Sequence, residues 1–113
     1  MIDVEQNSAS LSINKDIYLR ILVKATAQTQ QDIQDFEVAL PSDDFVKMQA
    51  IAHRWKGDYD NMRITALSSL ARQMNDIAKT TKDKGKLSEI FGEFKNCFHQ
   101  VRQFVLIPPE NKN

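Results

Sequence analysis

Phe45-Val46-Lys47-Met48-Gln49-Ala50-Ile51-Ala52-His53-Arg54-Trp55-Lys56-Gly57 carries apolar residues at helical spacing around a single histidine. Placed on a helix at about 100° per residue, it sorts into two faces. Phe45, Met48, Ile51, Ala52 and Trp55 gather in one apolar stripe. His53 falls roughly 135° from the centre of that stripe by the same arithmetic. Gln49 lies one turn before His53, Lys56 three residues after it and Gly57 four after, so all three border the imidazole. The pattern predicts an accessible imidazole on a rigid element, with a cation beside it and a gap in the side-chain cover.

The flanking segments are patterned to bury that apolar stripe. Asn14 is suited to cap a first long helix that begins at Lys15 and carries Ile17, Ile21, Leu22, Ala25, Ile33, Phe36 and Leu40. The glutamine-rich run between Thr26 and Gln34 keeps good helix propensity and is read as an exposed face of that single helix. Pro41 ends it, and Ser42 is read as the N-cap of the His53 helix, with Asp43 and Asp44 in its dipole-favoured first turn. The His53 helix is expected to close near Gly57, and Asp58 to Asn61 to form a turn in which Asp60 or Asn61 caps the next helix. Ile64, Leu67, Leu70, Ala71, Met74, Ile77 and Ala78 mark that helix. After a polar connection from Thr80 to Gly85, the last helix carries Leu87, Ile90, Phe91, Phe94, Phe98, Val101 and Val105. Pro108-Pro109 is expected to stop it, leaving Glu110 to Asn113 as a disordered tail. Met1 to Ser12 reads as a loose lead-in with a docking turn at Leu11 and Ile13. The expected fold is all-α: an up-down antiparallel four-helix bundle formed by one domain over 1–113, with its core at about 13–107.

Ala52-His53-Arg54-Trp55-Lys56-Gly57 resembles the A-H-x-L-K-G signature of histidine phosphotransfer (HPt) domains, with Trp55 in the usual Leu place. The resemblance in pattern spans roughly Ile13 to Val105. It implies a four-helix bundle whose exposed histidine relays a phosphoryl group between aspartates of receiver domains. On that reading His53 is the phosphoacceptor, Lys56 an electrostatic helper, and Gly57 the clearance beside the ring. Gln49, Arg72 and Asn75 complete the surface a partner meets. The family often places an amide-bearing residue one helix over, about where Asn75 falls, to orient the imidazole; Gln49 and Arg72 are alternatives for that role. Implied partners are response-regulator receiver domains and hybrid histidine kinases in a multistep two-component phosphorelay. Magnesium and the machinery of phosphorylation reside mainly in the receiver.

This sequence departs from the family pattern after Gly57. Two small residues usually follow there, and a second glycine comes later; here stand Asp58 and Tyr59, with Arg63 near the later glycine's place. Asp58 is expected to add negative charge near the phosphate site, and Tyr59 and Arg63 to thicken its rim.

Composition narrows the remaining classes. Lys plus Arg and Asp plus Glu stand at 15 each in 113 residues, which disfavours a nucleic-acid binder. Cys97 is the sole cysteine, so no internal disulfide forms; no Cys/His cluster has zinc spacing, and no metal or cofactor is expected. Neither a signal peptide nor a membrane-spanning run is visible, and a cytoplasmic, monomeric, free-standing protein is expected. No phosphate-cradling loop marks an autonomous kinase. His99 reads as a surface histidine and Cys97 as a packing or surface residue. A helical adaptor that binds a receiver without carrying phosphate is the alternative function. A histidine-dependent hydrolase ranks below it, because no Ser or Cys nucleophile has a matching base and orienting acid.

Overall fold

The computed structural model describes residues 2–106. These form five helices and, among the described residues, no strand: α1 (Val4–Ser10), α2 (Lys15–Ala39), α3 (Phe45–Asn61), α4 (Thr65–Lys79) and α5 (Lys84–Leu106). The most extensive packing joins α3 to α4; α4 packs on α5, and α2 closes against both α3 and α5. None of the described helices is long and apolar enough to cross a membrane. The expected stop at Pro108-Pro109, the tail beyond it and the core limit at 107 lie outside the described residues.

Local chemistry sets the helix ends. Asn14 caps α2 as expected, its Oδ1 accepting from the Ile17 N–H at 2.8 Å. The cap of α3 is Asp44, which accepts from Lys47 N–H at 3.1 Å, and not Ser42, whose hydroxyl turns back to donate to the Val38 carbonyl. Asp83 caps the start of α5 by accepting from Lys86 N–H at 3.1 Å, two residues before the expected end of that connection. α4 has no side-chain cap, so neither Asp60 nor Asn61 fills that role.

Three turns share one device. Ser12, Asp43 and Arg63 adopt left-handed φ values of 58°, 55° and 61°. In each, the next N–H bonds back five residues: Ile13 to Ser8, Asp44 to Ala39 and Ile64 to Tyr59. This is the Schellman closure usually served by glycine. Arg63 offsets its strained backbone by donating from Nε to Ser10 Oγ and from Nη1 to the Asp60 carbonyl, both at 3.2 Å. Consequently α3 continues through Gly57 to Asn61, a full turn past the expected end.

The N-terminal segment is not a loose lead-in. Asp3 caps α1, and Asn7 donates to the Tyr18 hydroxyl at 3.1 Å. That hydroxyl in turn donates to the Met62 carbonyl at 2.7 Å, tying α1, α2 and the α3–α4 turn together. Leu11 and Ile13 do pack against the core as expected.

The core is aromatic at its centre. Trp55 is fully buried and stacks on Phe94 at 4.2 Å and Phe36 at 5.7 Å between centroids, while Phe36 stacks on Phe91 at 4.3 Å. The apolar stripe of α5 is buried or half-buried as its sequence predicts. α2 differs: Ile17 and Ile21 are 41% and 44% exposed, and its inward face runs through Tyr18, Leu22, Thr26, Thr29, Asp32, Ile33 and Phe36. The polar members are tolerated because each makes at least one hydrogen bond, although Asp32 Oδ2 is buried without a partner. Thr26 donates to the Val23 carbonyl, Thr29 shares a 2.7 Å hydrogen bond with the Tyr59 hydroxyl, and Asp32 accepts from Arg54 and Gln28.

Trp55→Ala should empty the centre of this stack and cost about 3–5 kcal/mol, measured as the loss of unfolding free energy in urea at unchanged helical circular dichroism.

Candidate functional site

Burying Trp55, Ile51 and Ala52 against the other helices turns the opposite side of α3 to solvent. That outward strip reads Val46, Ala50, His53, Gly57 and Asp60, all exposed. His53 sits in the middle of it, and no hydrogen bond holds its imidazole among the described residues. Lys56, three residues on, is half-buried against the α4 side.

Gly57 is interior to α3 rather than its end, and a Cβ built there meets no atom within 4 Å. Nothing inside the molecule therefore requires glycine. Its φ is not in the left-handed region, and a helix-interior glycine forgoes about 0.5–1 kcal/mol relative to alanine. The space it leaves beside His53 opens to solvent.

Gln49 and Asn75 come together across the α3–α4 hairpin. Gln49 Nε2 donates to Asn75 Oδ1 at 3.0 Å, and Asn75 Nδ2 donates weakly to Asp76 at 3.5 Å. Asn75 is buried, so this bond is sheltered from water. The Asn75 carboxamide thus holds Gln49 rather than the imidazole. Gln49, one turn before His53, is the amide nearest the ring along α3. Arg72 lies on the exposed rim of α4, its Nη2 3.9 Å from Asp60 Oδ2.

The residues that depart from the HPt pattern do not crowd His53. Tyr59 is fully buried, and desolvation pushes its hydroxyl far above the usual range despite the bond to Thr29. Arg63 faces α1. Asp58 opens on the α2 side of α3, into a groove of about 350 Å³ walled by Ile21, Lys24, Gln28 and Met62. The expectation that Asp58 adds charge near the phosphate site and that Tyr59 and Arg63 thicken its rim does not hold, because α3 runs on through Gly57 to Asn61. Continuing the 100° rotation places Asp58 about 140° from His53.

The α2–α3 seam also holds a pair that the sequence reading missed. Asp32 is 1% exposed and is neutralised by Arg54, the residue after His53. The sign was a carboxylate on the inward face of α2 opposite an arginine on α3. Cys97 is half-buried, and burial raises its thiol pKa, the opposite of nucleophile activation. His99 is exposed on α5. Among the described residues no group of His, Cys, Asp and Glu is placed to hold a metal ion.

Asp58 yields a pH test. Burial raises its carboxyl pKa, Arg54 opposes the rise and Asp32 adds to it. A carboxyl raised on folding favours the native state when protonated, and that contribution is lost as pH climbs from the unfolded value of 3.8 through the folded one. Asp58→Asn should therefore raise the melting temperature at pH 7 and leave it nearly unchanged at pH 3, measured by thermal unfolding at both values.

No curated protein and no solved structure matches the chain. The family model described as Hpt domain matches residues 20–104, which takes in α3, α4, nearly all of α5 and most of α2. An outward histidine on a helical bundle and a family match over most of the sequence agree: the chain belongs to the Hpt domain family, whose role is histidine phosphotransfer in two-component signalling.

Proposed function

We propose that this chain is a single phosphotransfer domain that carries a phosphoryl group on His53 between receiver-domain aspartates in a multistep phosphorelay. The observation that carries the reading is the open space at Gly57 beside an exposed His53: a Cβ there meets nothing within 4 Å. In this reading the four long helices form an up-down antiparallel bundle, with α1 as a strap across one end. The protein acts as a cytoplasmic monomer, with receiver domains and hybrid histidine kinases as its partners.

The transfer follows from the chemistry of the groups. A lone pair on the unprotonated ring nitrogen of neutral His53 attacks the phosphorus of the receiver's aspartyl phosphate. The N–P bond forms, the P–O bond to the aspartyl carboxyl breaks, and the electron pair leaves with the carboxylate. The other ring nitrogen keeps its proton. Lys56 places positive charge near the transferred oxygens, where phosphoryl transfer gains from it. Gln49, held by Asn75, along with Gly57 and Arg72, forms the surface on which the receiver sits.

His53→Gln should melt like the wild type, because the side chain is exposed on the outward strip of α3, and should take up no acid-labile phosphate from a phosphorylated receiver. Uptake retained by His53→Gln and lost in His99→Gln would assign the wrong histidine. No uptake by the wild type from a broad panel of receivers would favour an adaptor that binds without carrying phosphate.

Gly57 separates stability from transfer. Gly57→Ala should raise stability by about 0.5–1 kcal/mol, and Gly57→Gln should keep a near-normal melting temperature while slowing transfer sharply. Lys56→Ala should slow it about tenfold, the effect of losing one charge-assisted contact. Stopped-time transfer assays on each variant, beside melting curves, check all three.

A further inference from the structure

Arg72 and Asp60 form an ion pair that the transfer step above does not use. Its geometry is loose: the closest approach is 3.9 Å, and the two side chains are 57% and 58% exposed. Such a pair contributes little to stability, so its place in the fold needs a different reason. Asp60 belongs to the same outward strip of α3 as His53, two turns further on. Arg72 stands on α4. The short 62–64 turn and the Gln49–Asn75 bond fix the register of the α3–α4 hairpin. In that register Arg72 starts level with the His53–Arg54 stretch and extends toward Asp60, away from the imidazole. The guanidinium is therefore tethered at the limit of ion pairing, on the face where a phosphoryl group would arrive.

We propose that Arg72 is a switching cation: Asp60 holds it in the unphosphorylated protein, and the phosphoryl group on His53 draws it across. This rests on His53 as the carrier. A phosphoryl group bears close to two negative charges and three acceptor oxygens, against one charge on Asp60. A planar guanidinium gains a forked contact there that it lacks at 3.9 Å from a carboxylate. Asp60 thereby competes with the phosphoryl group for one cation and sets how readily the chain gives its phosphate up. Lys56 supplies a positive charge from α3 itself; Arg72 supplies one from α4 whose position depends on phosphorylation.

The test is the equilibrium distribution of phosphate between a receiver domain and this chain, for wild type, Arg72→Gln, Asp60→Asn and the double variant. Arg72→Gln should shift phosphate toward the receiver about tenfold. Asp60→Asn should shift it toward this chain about threefold. Their effects should not add: in the Arg72→Gln background, Asp60→Asn should change the distribution much less, because no cation is left to release. Arg72→Lys should restore part of the loss, and all variants should melt within a degree or two of wild type. Additive effects would show that Asp60 acts only as a distant charge and would overturn the switch. An unshifted distribution in Arg72→Gln would remove Arg72 from the site while leaving His53 as carrier. A wild-type protein that takes no phosphate on His53 would overturn the carrier reading, and the switch with it.

Discussion

The burial of Trp55 is the constraint on which the rest depends. Its indole lies within the stack of Phe36, Phe91 and Phe94, so α3 has one rotational setting about its axis. His53 is two residues away, about 200° around the helix, and is forced outward by the same setting. The indole Nε1 is buried with no hydrogen-bond partner, a cost the aromatic stack outweighs. Leucine, usual at this place in the family, would fill less of the space between α2 and α5. Here the bulky residue is matched by phenylalanines from both neighbours, which makes the core and the orientation of the histidine a single property.

A second, polar constraint lies along the α2–α3 seam. Asp32 reaches Arg54, and Thr29 reaches Tyr59, so two consecutive turns of α2 are latched to α3 by groups that would be costly to bury alone. Arg54 lies on the far side of α3 from Lys56, whereas Tyr59, one turn after Lys56, reaches Thr29 of α2 through the core. Toward α4, the helix with which α3 packs most extensively, Gln49 meets Asn75 and Asp60 meets Arg72.

Much of this was legible in the sequence because apolar spacing is a direct record of helix faces. The inward set Met48, Ile51, Ala52 and Trp55 and the outward His53 follow from periodicity alone. Turn chemistry was harder to read. Gly57 looks like a helix end, yet the end is made by Arg63 in a left-handed conformation sustained by Ser10 and the Asp60 carbonyl, a long-range compensation that no local rule contains. That single boundary explains why Asp58 and Tyr59 were expected on the rim. Ile17 and Ile21 are apolar yet exposed, whereas Thr29 and Asp32 are buried because their partners lie on α3. The ordered α1 was hidden because its order comes from the Asp3 cap and from Asn7 meeting Tyr18, not from an apolar run.

The proposed role of His53 as the phosphoryl carrier can be read in the imidazoles themselves. The chain holds only two histidines, so a long-range proton–nitrogen spectrum of the ¹⁵N-labelled protein resolves each ring. On addition of a phosphorylated receiver domain with magnesium, one nitrogen of His53 should move by a large shift and couple to phosphorus, while the His99 ring stays in place. Phosphorus coupling at His99, or an unchanged His53 ring in a protein that carries acid-labile phosphate, would contradict the account.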